Sequence, residues 1–232
     1  MKQQVSINKV QIYPFSTTDE LLDFIADKKQ LLIAINAEKI MHATDSMREL
    51  INSNIGYADG FGAVLGMRRK GYKDVIKIPG CELWLKIISK YQKTKSFYFV
   101  GGRDTVIEAT IKKLKCEYPL LNIIGYHNGY FDDNDKKMIT QDILNKKPDV
   151  VMVALGSPKQ ELFMHELLLL YPALYMGLGG SFDVYTGNVK RAPDWWVKHN
   201  LEFAYRLLKQ PSRIKRQIFL LKYIACIALK IY

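Results

Sequence analysis

The 232 residues are 48% hydrophobic, enough for one substantial core or a core with an appendage, and carry a formal net charge of +11. That charge calls for an anionic partner, whether nucleic acid, anionic lipid or a phosphorylated substrate, and does not choose among them. Cys81, Cys116 and Cys226 are far apart and in no Cys-x-x-Cys or Cys/His pattern, which argues against a disulfide framework or a zinc site and fits a reducing compartment. The N-terminus has no apolar core of signal-peptide length, and no uncharged stretch reaches the roughly 18 residues that span a bilayer, so a cytoplasmic protein is expected.

Residues 5–15 alternate loosely and predict a first strand or small hairpin, and Thr18 before DELLDFIADKK predicts an N-capped amphipathic helix. The run LLIAI at 31–35 reads as a strand that stops at Asn36, where a helix cap and a ligand contact are both natural; one helical stretch follows over 37–53. A short run at 55–58 leads into Asp59-Gly60. An aspartate at a strand end stands where active-site residues collect in α/β folds, and capping of the next helix is its plain alternative. That helix ends at Gly71, and Pro79-Gly80 opens another, CELWLKIISKYQK.

The clearest unit is SFYFV at 96–100, the turn Gly101-Gly102 and a helix over 104–118. Strand, glycines and helix N-terminus make a ready site for a phosphate or a ribose, although the same turn also serves simply to save space. A strand at 122–126 ends in His127-Asn128-Gly129-Tyr130-Phe131, with a helix from about Asp132. The run Asp132-Asp133-Asn134-Asp135 resembles the acidic DxD signature of metal-dependent nucleotide-sugar enzymes, but capping and the helix macrodipole account for the same residues, and no metal is expected.

Two apolar runs, 150–155 and 173–178, have the composition of buried parallel strands ended by glycine. After the first, Gly156 lets a ligand approach, Pro158 suits a first helical turn, and Lys159 and Gln160 offer donors beside amides that favour an anion. The helix LFMHELLLLY must bury much of its circumference, which makes His165 a partly buried helix residue rather than a catalyst. After the second run, a dinucleotide fingerprint would need glycine at 182. Phe182 stands there, which argues against a dinucleotide-dependent oxidoreductase. Gly180, Asp183, Thr186 and Gly187 then read as a decorated polar loop before Lys190 and Arg191.

After Glu202 no acidic residue occurs. The basic run YRLLKQPSRIKRQ at 205–217 precedes the apolar IFLLKYIACIALKIY, which is too charged to span a bilayer. A basic collar before an apolar amphipathic helix combines two membrane-binding signals; a terminal helix packed on the core or on another subunit is the alternative.

Taken together, INAEK (35–39), YADG (57–60), FVGG (99–102), GYF (129–131), GSPKQE (156–161), MGLGGSFDVYTGNVKRAP (176–193) and YRLLKQPSRIKRQ (205–217) resemble the WecG/TagA/CpsF glycosyltransferases of bacterial surface polysaccharide synthesis. INAEK, YADG and QPSRIKRQ look most like the enterobacterial common antigen branch, whose members transfer N-acetylmannosaminuronic acid from a UDP donor to undecaprenyl-diphosphate-linked N-acetylglucosamine. The teichoic-acid branch, which transfers N-acetylmannosamine, usually has threonine where this chain has Ala34.

The resemblance implies an α/β, Rossmann-like, mostly parallel sheet flanked by helices as a catalytic domain over 1–200, with a basic helical membrane-binding appendage over 201–232. It implies inversion without metal or other cofactor. Asp59 falls on the proposed general base. Asn36, Gly101, Gly102, Tyr130, Gly156, Lys159, Gln160, Glu161, Gly180 and Asp183 fall on or beside donor-binding segments. Arg206, Arg213 and Arg216 match the arginines expected to grip a lipid diphosphate, for which the guanidinium fork is suited. Lys190 and Arg191 are the cations nearest in sequence for the carboxylate of an acidic donor. The expected partners are a UDP-sugar, a polyprenyl-diphosphate-linked acceptor and the anionic inner face of the cytoplasmic membrane; homo-oligomerisation stays open. The reading from another class, a basic nucleic-acid-binding module, has the net charge in its favour and lacks any basic-aromatic motif.

Overall fold

The chain opens with an antiparallel hairpin of β1 (Val5–Ile7) and β2 (Val10–Ile12), whose turn residues Asn8 and Lys9 take positive φ of 48° and 65°, the twist a two-residue hairpin requires. The computed structural model describes residues 2–193 together with Trp195, Trp196, Ala204, Tyr205, Tyr223 and Cys226. The elements that follow are α1 (Thr18–Ile25), β3 (Leu31–Ile35), α2 (Ala37–His42), α3 (Asp45–Asn52), β4 (Ile55–Ala58), α4 (Phe61–Arg69), α5 (Gly80–Tyr91) and β5 (Ser96–Gly101). Then come α6 (Asp104–Glu117), β6 (Asn122–His127), α7 (Asp133–Lys146), β7 (Val150–Ala154), α8 (Lys159–Leu170), β8 (Leu174–Gly177) and α9 (Ser181–Tyr185).

Two compact units divide the chain. One comprises Met1–Thr17, Ala34–Pro79 and Lys190–Tyr232; the other comprises Thr18–Ile33 and Gly80–Val189. The main sheet has the order β4-β3-β8-β7-β5-β6, and the ladders β3–β8, β8–β7, β7–β5 and β5–β6 are all parallel. The fold is therefore the expected α/β type with a mostly parallel sheet. Its central strands are apolar throughout because parallel strands flanked by helices are buried on both faces, as in β7, where all five residues are buried.

In the second unit the chain leaves β5 for β6, then passes back across β5 to reach β7. That reversal places a topological switch point between the carboxyl ends of β5 and β7, the usual place for a ligand crevice. Phe182 packs against Trp84 and Phe99 at centroid separations of 5.7 and 6.3 Å, so the residue that spoils the dinucleotide fingerprint is part of the core. At the edge strand β6, the register with β5 slips between Phe97 and Tyr98, leaving Ile124 as an extra residue.

Three local readings change. The single helix expected over 37–53 is two, because Ala43 leaves helical geometry at ψ 128° and the Thr44 hydroxyl accepts the Met47 amide at 3.2 Å, starting a new helix. Helix α8 buries Phe163, Met164 and Leu167 but exposes Leu162, Leu169 and Leu170, so less of its circumference is covered than its composition suggests. Asp183 lies on the short helix α9 rather than on a loop; Ser181 and Phe182 are buried, and the Ser181 hydroxyl donates to Leu178 O at 2.6 Å.

Candidate functional site

In the second unit, Gly101 ends β5 at φ 136°, and a Cβ there would lie 2.4 Å from the carbonyl oxygen of Ala154, its partner in β7. The strand pair itself demands this glycine. Gly102, at φ 70°, then turns the chain into α6, whose N-cap Arg103 is in extended geometry and whose carbonyl accepts the amides of Val106 and Ile107, both at 2.9 Å. The segment after β6 is stapled to this turn. Gly129 N donates to Gly102 O at 2.7 Å, Asn128 Nδ2 donates to Asp104 Oδ1 at 2.7 Å, and Asn128 Oδ1 accepts the Tyr130 amide at 2.8 Å. Tyr130 is held there with 71% of its surface exposed.

The acidic run that follows has a structural account. Asp132 caps α7 by accepting the amides of Asn134 and Asp135 at 2.8 and 2.9 Å, and Asp135 reaches back to the Asp132 amide, completing a capping box.

After β7, Gly156 takes φ 75°, and Ser157-Pro158 leads into α8. Lys159 is exposed, whereas Gln160 and Glu161 are 5% and 1% exposed. Gln160 Oε1 accepts the Gly179 amide at 2.9 Å, and its Nε2 donates to Glu161 Oε1 at 3.3 Å. The glutamine and glutamate of GSPKQE therefore face the interior and join the turns after β7 and β8.

Beyond that turn, α9 is fixed to α6. The Tyr185 hydroxyl donates to Glu117 Oε2 at 2.7 Å, Lys113 Nζ donates to Tyr185 O at 2.8 Å, and the same ammonium sits 4.4 Å from the Tyr185 ring centroid. Burial and the neighbouring Glu117 carboxylate push the Tyr185 phenol well above its ordinary pKa.

Between these elements lies a cavity of about 560 Å³, lined by Gly102, Arg103, Thr105, Val106, Tyr130, Asp183, Asn188 and Val189. Its size and mostly polar lining suit a small polar ligand. Of the residues singled out by sequence, Gly102, Tyr130 and Asp183 meet here. Gly101, Gly156, Lys159, Gln160, Glu161 and Gly180 do not line it. Sequence reasoning passed over Arg103, Thr105 and Asn188. For Arg103 the signal was its place directly after the double glycine at a helix start; for Asn188 it was only membership of a long motif.

In the first unit, Asn36 serves as the N-cap of α2, its Oδ1 accepting the Lys39 amide at 2.9 Å. Asp59 follows β4 half-exposed, its amide donating to Ile35 O at 3.0 Å, and the N-cap of α4 is the next residue, Gly60. A Cβ on Gly60 would meet Asn36 Cβ at 3.3 Å, so the ends of β3 and β4 bring Asn36 beside the Asp59-Gly60 turn. The Ala34 carbonyl accepts Lys39 Nζ at 2.9 Å. Lys190 is exposed and Arg191 half-buried. Tyr223 is buried, with its ring against Gly62 of α4. Arg206, Arg213 and Arg216 lie outside the described residues, as does most of 201–232. Among the described residues, no helix is long and apolar enough to cross a membrane.

A strand-end cavity with a phosphate-ready helix start and an aspartate turn at the end of another strand are the parts a sugar-nucleotide enzyme needs. Residues 5–231 match the Glycosyl transferase WecG/TagA/CpsF family, and the chain belongs to that family of glycosyltransferases.

Proposed function

We propose that this protein transfers N-acetylmannosaminuronic acid from UDP to undecaprenyl-diphosphate-linked N-acetylglucosamine, with inversion, at the inner face of the bacterial cytoplasmic membrane. The observation that carries the nucleotide-sugar reading is the polar cavity of about 560 Å³ at the start of α6, bounded by Gly102, Tyr130 and Asp183, in a chain matched to a glycosyltransferase family over nearly its whole length. The INAEK, YADG and QPSRIKRQ motifs and Ala34 support the uronic-acid branch over the N-acetylmannosamine branch.

In this mechanism the Asp59 carboxylate takes the proton of the acceptor hydroxyl as its oxygen attacks the anomeric carbon. The bond from that carbon to the UDP oxygen breaks, its electron pair leaving with the diphosphate, and the configuration inverts. Amides at a helix start and cationic side chains stabilise the charge that builds on the leaving diphosphate. Lys190 or Arg191 meets the donor carboxylate, and Arg206, Arg213 and Arg216 grip the lipid diphosphate. Gln160 and Glu161 act by shaping the turns around them.

The test is incubation of the full chain with a synthetic lipid-diphosphate-N-acetylglucosamine and a panel of UDP-sugars, reading products by mass. Addition of one N-acetylmannosaminuronic acid residue is the expected outcome. Addition of N-acetylmannosamine alone would move the protein to the teichoic-acid type, and no transfer from any UDP-sugar would overturn the reading.

A further inference from the structure

The cavity beside α6 is lined by one cation, Arg103, and one anion, Asp183, which do not close on each other. Among the described residues neither side chain makes a hydrogen bond or an ion pair, although opposite charges flanking one small space are attracted. Arg103 stands at the start of a 14-residue helix, next to Gly102 at φ 70°, and its side chain does not cap that helix. The one carboxylate in the first turn of α6, Asp104, is engaged by Asn128 Nδ2 at 2.7 Å. On the opposite wall, Asp183 is carried by α9, which the Tyr185–Glu117 and Lys113–Tyr185 hydrogen bonds fix to α6. The two charges are thus held apart by the fold, and the space between them suits a ligand that is anionic at one end and rich in hydroxyl donors at the other.

A nucleoside diphosphate has that polarity. We infer that Arg103 binds the diphosphate of the donor, while Asp183 accepts hydrogen bonds from the ribose 2′- and 3′-hydroxyls. The orientation follows from chemistry. Helix-start amides and a guanidinium both favour phosphate, and a carboxylate repels it while accepting readily from a vicinal diol. The inference rests on the nucleotide-sugar reading above and adds to it the orientation of the nucleotide and a residue, Arg103, that the motifs did not single out.

The experiment crosses side-chain removal with ligand truncation. Binding of UDP, UMP, uridine, 2′-deoxy-UDP and 3′-deoxy-UDP to the full chain is measured by calorimetry for wild type, Arg103→Gln and Asp183→Asn, with thermal melts to show that each variant is folded. Wild type is expected to bind UDP more tightly than uridine. Arg103→Gln loses about 10- to 100-fold in UDP affinity with uridine affinity unchanged, so that most of the gap between the two ligands disappears. Asp183→Asn weakens UDP and abolishes the preference for UDP over the deoxy analogues. If wild type prefers UDP and Arg103→Gln keeps the whole preference over uridine, the assignment of Arg103 is overturned while the glycosyltransferase reading stands. If Arg103→Gln erases the ribose preference and Asp183→Asn the phosphate preference, the orientation is reversed and the inference fails. If wild type binds neither UDP nor uridine, the nucleotide-sugar reading itself falls. Arg103→Lys separates charge from geometry: recovery of only part of the lost affinity is expected, because an ammonium cannot reproduce the guanidinium fork.

Discussion

Gln160 Oε1 accepts the backbone amide of Gly179 at 2.9 Å, from a side chain only 5% exposed, so the first turn of α8 and the turn after β8 are joined by a buried hydrogen bond. Gln160→Ala leaves that amide without its partner and opens a cavity. It is expected to cost about 1–3 kcal/mol in urea unfolding. A change below about 0.5 kcal/mol, the range of an ordinary surface substitution, would show that the bond does not hold the turn.

Gly101 and Gly156 separate two reasons for a glycine. Both have positive φ, but a Cβ at Gly101 would strike the Ala154 carbonyl at 2.4 Å, whereas nothing lies within 4 Å of one at Gly156. Gly101→Ala should destabilise by about 3 kcal/mol or more, combining backbone strain with displacement of a neighbouring strand. Gly156→Ala should cost about 1–2 kcal/mol, from the backbone conformation alone. Equal losses for the two in the same unfolding measurement would contradict the geometry.

Asp59→Asn keeps the shape of the turn after β4 and removes its basicity. Transfer is expected to fall by about 10²- to 10⁴-fold, the usual size of a general-base contribution, with UDP affinity unchanged. Turnover at the wild-type rate by the folded, membrane-bound variant would place the base elsewhere.

Tyr185→Phe removes the hydroxyl that donates to Glu117 Oε2 and so loosens the hold of α6 on α9, the helix that carries Asp183. The expected signature is a loss of about 1 kcal/mol of stability together with a raised KM for the donor and a largely unchanged kcat. A fall confined to kcat would mean that α9 acts in some other way.

The protein should lose stability in acid through Asp142. Burial pushes its pKa up, but hydrogen bonds from Lys146 Nζ at 2.8 Å and the Tyr98 hydroxyl at 2.7 Å, with the charges of Lys146 and His127, outweigh burial and hold the carboxyl below its ordinary 3.8. A depressed folded pKa gives stability that is present above the unfolded value and lost as pH falls through the folded one. Asp142→Asn should therefore be less stable than wild type at neutral pH, with the difference shrinking below about pH 3.8. A difference that stays constant between neutral and acid pH would show that the carboxylate's charge is not what matters.

The strands were legible because a parallel strand buried on both faces must be an unbroken apolar run, and β3, β4, β5 and β7 each end at the polar or glycine residue that stops such a run. The motif glycines were legible for the same reason, although Gly101 proves to answer to Ala154 as a strand neighbour. Gln160 was misleading because a polar residue in a helix's first turn has the same composition signal whether it points outward or, as here, inward onto Gly179. Arg103 and Asn188 were missed since each becomes part of a cavity only when α6 and α9 come together, a contact made by Tyr185 and Glu117, 68 positions apart in the chain. Arg206, Arg213 and Arg216 rest on motif alone, as they fall outside the described residues.

The extra residue Ile124 also bears on solubility. Strand β6 is an outer strand of the sheet, with no residue fully buried, and an open edge of evenly spaced amides and carbonyls would recruit strands from other chains. The slip between Phe97 and Tyr98 breaks that spacing, and Gly125 beneath the Tyr98 ring leaves no side chain there to extend a β-ladder. At the opposite end of the strand order, β4 is covered by Tyr13, which bridges to Tyr57 and donates its amide to Gly56 O at 2.8 Å. One edge is thus irregular and the other occupied, which protects a chain rich in exposed leucine from fibrous self-association without using charge at either edge.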